Sequence, residues 1–305
     1  MNKYEQLVKE GRKQVTKVTV GQLKEINKLY EDTIMGLSKT AAFGDKAITK
    51  RWAISYMNEV EKARKKLVVE IAKSSVNNIR KTSQVGVDIQ KAILKDMFKL
   101  GGKTPGKIFD SMFSQVNDNV IKNIIGGGLY KDNKTLSSRI WNYGSELEKD
   151  LQYMVNQALL EKKSAKDMAN GLKEFVKLPP NRSKEWAEAN PRLMNKYASS
   201  RAIVMAKTTI NHAYQTATIQ ACLHNPFVEA IEWSTSNAHN TCEWCEEQEN
   251  TDQFGLGVGI FPKDEVNLDH PNGACVMLPY IIMSSSQIAD KVSSMSSKEL
   301  DDAIR

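Results

Sequence analysis

Cys242 and Cys245 stand two residues apart in Thr241-Cys242-Glu243-Trp244-Cys245, and His270 and Cys275 stand together in His270-Pro271-Asn272-Gly273-Ala274-Cys275. Three of the chain's four cysteines therefore fall in one stretch, Trp233 to Pro279. A Cys-x-x-Cys at a turn presents two sulfurs at one point. A distant His and Cys can complete a tetrahedron, which is the donor arithmetic of a structural zinc site. Cys242, Cys245, His270 and Cys275 are the expected ligands and Zn²⁺ the expected ion, with His239 as a substitute for His270. The competing reading is four reduced side chains lining a small core without metal.

Other chemistries need residues that the stretch does not supply. A zinc deaminase requires His-x-Glu with Pro-Cys-x-x-Cys. The four histidines open His212-Ala213-Tyr214, His224-Asn225-Pro226, His239-Asn240-Thr241 and His270-Pro271-Asn272, none with the glutamate. A His-Asn-His nuclease could use Asp269-His270 but needs a further metal-holding His or Asn on a following helix, and no histidine follows His270. A redox Cys-x-x-Cys belongs in a βαβ setting, which this pattern lacks. Cys222, on an Ala-rich helix, reads as a buried structural thiol rather than a nucleophile. Lys99-Leu100-Gly101-Gly102-Lys103-Thr104 carries Gly-Lys-Thr, but a phosphate-binding loop would need glycine where Met97 stands.

The elements that must position these residues are mostly helices. No proline precedes Pro105. Leu23, Ile26, Leu29 and Tyr30 predict a helix over about Val20–Leu37. Ile48, Trp52, Tyr56, Val60, Ala63, Leu67 and Ile71 recur at three to four residues, predicting another from an Asp45 cap to about Arg80. Thr104 and Pro105 read as the cap and first residue of a helix bearing Phe109, Met112, Phe113, Val116 and Val120. Thr135 to Val176 reads as three short helices. After Pro191 a long one runs to about Leu223, with Ala213, Ala217 and Ala221 spaced to let another helix approach. Val228–Trp233 and Cys275–Tyr280 read as paired strands, and Ser296-Ser297-Lys298-Glu299 as a capping box. The fold class is mainly α: long helices followed by a small α+β module that zinc would staple. The blocks are a basic helical arm (1–104), a helical domain (105–225), the Cys/His module (226–282) and a tail (283–305).

Charge separates the arm from the module. Residues 1–104 hold 22 Lys and Arg against 11 Asp and Glu, a balance of +11 within a chain of net charge +7. Between Asn240 and His270 there are eight acids and one base, Lys263. The basic end is therefore the expected site for nucleic acid or an acidic protein surface, with Arg64, Lys65 and Lys66 as the named cluster; the alternative is a solvated helix face. No apolar run approaches the roughly 18 residues of a membrane span. The N-terminus lacks the apolar core of a signal peptide, and four cysteines without one point to a reducing compartment.

The order of these residues resembles a known family. Arg201 and Ala206-Lys207-Thr208 on a helix are followed by Trp233-Ser234-Thr235, the Cys242/Cys245 pair, then His270-Pro271-Asn272 with Cys275 and Leu278-Pro279. This is similar to the phage Mu protein F type of minor head, or head-morphogenesis, proteins of tailed phages. Ser138-Arg139-Ile140-Trp141 resembles that family's helical lead-in, and the resemblance covers about residues 135–280. The chain departs from the pattern at Gly273 and Ala274, where the family has cysteine and arginine. It departs again at Thr209, where an acid is frequent, and at Asn237–Asn240, where the family has Asp-x-Arg. The resemblance implies a virion protein made in the bacterial host cytoplasm. It would act at the portal vertex in head assembly and DNA packaging or ejection, without catalysis. Its implied partners are the portal protein, other capsid or scaffold proteins and DNA, with no membrane anchor. The alternative is a phage-delivered nuclease or toxin built on the same module.

Overall fold

The computed structural model describes residues 3–42, 45–104, 107–235 and 241–304. Its elements are α1 (Lys3–Ala41), α2 (Lys50–Leu100), α3 (Lys107–Gly126), α4 (Leu136–Leu160), α5 (Ala165–Val176), α6 (Lys184–Ala189), α7 (Ser200–Leu223), β1 (Ala230–Ser234), α8 (Glu243–Asn250), β2 (Ile260–Phe261), β3 (Val276–Tyr280), α9 (Ser285–Ser294) and α10 (Ser297–Ala303). The protein is thus mainly helical with one small sheet near its C-terminal end, as the patterning predicts. Among the described residues no helix is long and apolar enough to cross a membrane.

The first two helices are longer than their apolar stripes announce. With no proline to interrupt them, α1 spans 39 residues and α2 spans 51. Asp45 does not cap α2: it is exposed and faces Lys166 at 3.5 Å. The Thr49 hydroxyl accepts from the Trp52 amide instead, and the helix runs on until Gly101-Gly102. Thr135 to Val176 forms two helices, not three. Gly144 lies inside α4, where a Cβ would come 2.5 Å from Val68 Cγ2. The glycine is a packing contact with α2, not a break. The proposed Thr104–Pro105 start of α3 lies partly outside the described residues.

α7 begins at Ser200, not just after Pro191. Arg182 explains the delay. Its guanidinium donates to the carbonyls of Leu193, Met194 and Lys196, and to those of Phe175 and Lys177. Carbonyls engaged this way hold residues 193–196 in a turn rather than in a helical ladder.

The chain divides into two compact units: Met1–Val20 with Asn77–Lys131 and Lys207–Arg305, and Gly21–Val76 with Asp132–Ala206. These cut across the blocks drawn from sequence. Residues 1–104 are not one arm, because α1 is divided at Val20/Gly21 and α2 at Val76/Asn77. Apolar stripes extend along both helices, so each helix is buried in two places. The second unit is helical, with a core including Ile26, Ile34, Leu67, Ile71, Leu151, Leu172 and Phe175.

The first unit carries the module. Its core holds Phe98, Phe109, Phe113 and Ile124 from α2 and α3, and Ile210, Ala213 and Ala217 from α7. The small-residue face of α7 meets α2 at Gly86, where a Cβ would stand 2.9 Å from Ala217 Cβ. The sheet has the order β2-β1-β3, all antiparallel, with Trp233 opposite Met277 and Ile231 between Phe261 and Pro279. Capping boxes start α9 at Ser284 and α10 at Ser296.

Candidate metal centre

Cys242 is the N-cap of α8, and its sulfur accepts from the Cys245 amide at 3.4 Å. That local geometry folds Cys-x-x-Cys back on itself so that both sulfurs face one point. The helix is tied down at its far end, where Glu249 accepts from the Thr235 amide and hydroxyl at the end of β1. His270 sits in the turn that leads into β3, closed by the Gly273 amide donating to the His270 carbonyl at 2.9 Å. Cys242, Cys245 and His270 bring one donor atom each within 4.8 Å of one another. Edges of a tetrahedral zinc site are somewhat under that spacing, given bonds of about 2.3 Å to sulfur and about 2.0 Å to nitrogen. Three donors gathered this closely could hold one metal ion.

The donor chemistry agrees. His270 Nδ1 donates to the Pro271 carbonyl at 2.9 Å, which leaves Nε2 with the lone pair a metal needs. That bond is also the main reason His270 titrates above its ordinary range, helped by the Cys242 thiolate. The Cys242 thiol is shifted below its ordinary range, first by the Cys245 amide and then by the Cys245 thiol and His270. Cys245 is pushed up by burial and by the neighbouring sulfurs of Cys275 and Cys242. A buried thiol pressed against two others is destabilised as a thiolate until a cation is supplied.

Cys275, the fourth expected ligand, is not in the three-membered group. It is buried just before β3 and its thiol contacts that of Cys245. Its own shift is upward, caused chiefly by burial. Cys245 and Cys275 share a core cluster with Trp233, Phe261 and Met277, and Cys242 packs against it. Trp244, between the paired cysteines, meets Trp233 edge-on at 5.4 Å and His270 at 6.3 Å. His239 lies outside the described residues. Cys222 is fully buried, donates to Gln90 Oε1 at 3.5 Å and is pushed up to about 12 by burial, as befits a structural thiol.

Sequence reasoning missed the residues that hold the His270 turn. Asp269 is buried, and its Oδ2 accepts from Asn211 Nδ2 at 2.7 Å and from the Cys275 amide at 3.1 Å. His212 Nε2 lies 3.1 Å from the Asp269 carbonyl and 3.2 Å from its Oδ1. Gln215 Nε2 donates to the Cys275 carbonyl at 2.8 Å, and the Asn272 amide to Thr208 Oγ1 at 2.9 Å. The available signal was a polar stripe at Thr208, Asn211, His212 and Gln215, spaced for one face of an otherwise small-residue helix.

The basic cluster is not one surface. Arg64 is 6% exposed, pairs with Glu148 at 2.8 Å and stacks 4.1 Å over Trp141. Its charge is used inside the fold, which corrects its assignment as a phosphate contact. Lys65 is exposed but pairs with Glu61 at 2.7 Å; Lys66 is exposed on α2.

No family model, curated protein or solved structure matches the chain.

Proposed function

We propose that the chain is a minor head protein of the phage Mu protein F type, a virion component that docks at the portal vertex rather than turning over a substrate. The observation that carries this reading is the meeting of Cys242, Cys245 and His270, the residues on which the family resemblance turns, within 4.8 Å. The ion they would hold is zinc. Cys275, whose thiol contacts that of Cys245, would be the fourth ligand. A bound Zn²⁺ would neutralise crowded thiolates and tie the α8 turn to the β3 turn.

Four protein ligands close the ion to water, which suits a structural role. Three thiolates on Zn²⁺ leave a net negative site that repels a phosphodiester. Asp269, the acid a nuclease would present beside His270, is instead turned to α7 and held there by Asn211. The portal protein, other capsid or scaffold proteins and DNA are the proposed partners, and the virion the proposed location.

Mass spectrometry of purified virions should find this chain, and deleting residues 233–280 should remove it from particles. Purified protein should contain about one equivalent of zinc. A chain absent from virions overturns the reading. So does a nuclease or toxin activity abolished by changing Glu246, Glu247 or Asp269 while assembly continues.

A further inference from the structure

The two halves of the metal centre are supplied by different means. Cys242 and Cys245 belong to a helix anchored on β1 through Glu249. His270 and Cys275 belong to a turn with one internal backbone bond, from Gly273 to His270. A turn ordered only when the ion arrives would lower metal affinity by the entropy of fixing it. Four polar side chains on one face of α7 remove that cost: Thr208 holds Asn272, Asn211 and His212 hold Asp269, and Gln215 holds the Cys275 carbonyl. Asp269 passes the hold on to the Cys275 amide. The bonds of His212 and Gln215 are buried, where bonds strengthen one another and losing one leaves its partner without water to replace it; those of Asn211 and Thr208 are part-buried.

We propose that Thr208, Asn211, His212 and Gln215, acting through Asp269 and the Asn272 and Cys275 backbone, are the positioning residues of the metal centre. They pre-order its His270–Cys275 half before the ion binds. The proposal rests on the reading of Cys242, Cys245 and His270 as metal ligands. None of the α7 residues touches the ion in this scheme; they set its affinity by holding the chain that does.

The test uses the full-length chain and cobalt(II) in place of zinc, titrated in competition with a chelator of known affinity. Asn211→Ala and Gln215→Ala should each weaken cobalt binding by about tenfold to a hundredfold. The thiolate-to-cobalt absorption bands should persist at saturation, because every ligand is still present. Asp269→Asn keeps an oxygen for Asn211 and Cys275 and should hold affinity better than Asp269→Ala. Asp150→Asn, which alters a buried carboxylate paired with Lys196 and Arg192 in the other unit, should leave cobalt affinity unchanged. Should Asp269→Ala fail to fold, the milder Asn211→Ala and Gln215→Ala still decide the matter. Wild-type affinity in both of those variants overturns the positioning role while leaving the metal site standing. A wild-type chain that takes up no cobalt overturns both.

Discussion

Gly273 is set by its neighbour rather than by its backbone angles. A Cβ there would stand 2.5 Å from Asp269 Cγ and 2.8 Å from the His270 carbonyl oxygen. The family pattern has cysteine at this position, and here the buried Asp269 carboxylate takes up the room. Gly273→Ala should therefore destabilise the protein by about 1–3 kcal/mol, as over-filling a packed site does, and Gly273→Cys by at least as much. Urea denaturation of the two variants against the parent measures it. Equal midpoints would mean that Asp269 moves aside freely.

Either side of the short α6, the chain between α5 and α7 is held largely by side chains. Arg182 gathers five carbonyls and lies against the Phe175 and Trp186 rings. Glu174 beside it accepts from Lys177 and from the Ser183 amide. Those bonds, Lys177 first, hold the Glu174 carboxyl below its usual range. A group depressed in the folded state binds fewer protons there than when unfolded. Its contribution is thus complete above the ordinary carboxylate pKa of about 4.3 and is lost as pH falls through the lower folded value. Glu174→Gln should consequently show a flatter fall in stability than the parent between about pH 5 and pH 3. Denaturant midpoints taken across that window check it; parallel curves would remove Glu174 from the account.

Across the whole molecule, the positive charge of residues 1–104 is shared between two units rather than concentrated on an arm. Arg64 and Lys66 separate two roles that adjacency in sequence had merged. Arg64→Ala leaves Glu148 without its partner and uncovers Trp141, and should cost about 1–3 kcal/mol, less than the roughly 3–5 kcal/mol of a fully buried broken pair because Glu148 is partly exposed. Lys65→Ala with Lys66→Ala should cost little stability. If DNA binds this face, the pair should lower the slope of log affinity against log salt by roughly one unit for each phosphate no longer neutralised. Fluorescence anisotropy over a salt series, alongside thermal melts, separates the two. A salt slope unchanged in the lysine pair would move any DNA binding elsewhere.

Local rules made much of this protein legible. A hundred residues without proline and with stripes at helical spacing had to be helix. Ser296 with Glu299 had to cap, and Cys-x-x-Cys had to turn its sulfurs together, because each outcome depends on residues three or four apart. Only the tertiary structure decided which of those residues were used from the inside. Arg64 became buried because Glu148 and Trp141 arrive from a distant helix. Asp269 faced α7 because Asn211 and His212 stand there, and Cys275 came to lie beside Cys245 through the pairing of β1 with β3. A charged or polar side chain is costly to bury alone and stable when paired. Its fate is therefore settled by a partner far along the chain, at a separation over which periodicity carries no information.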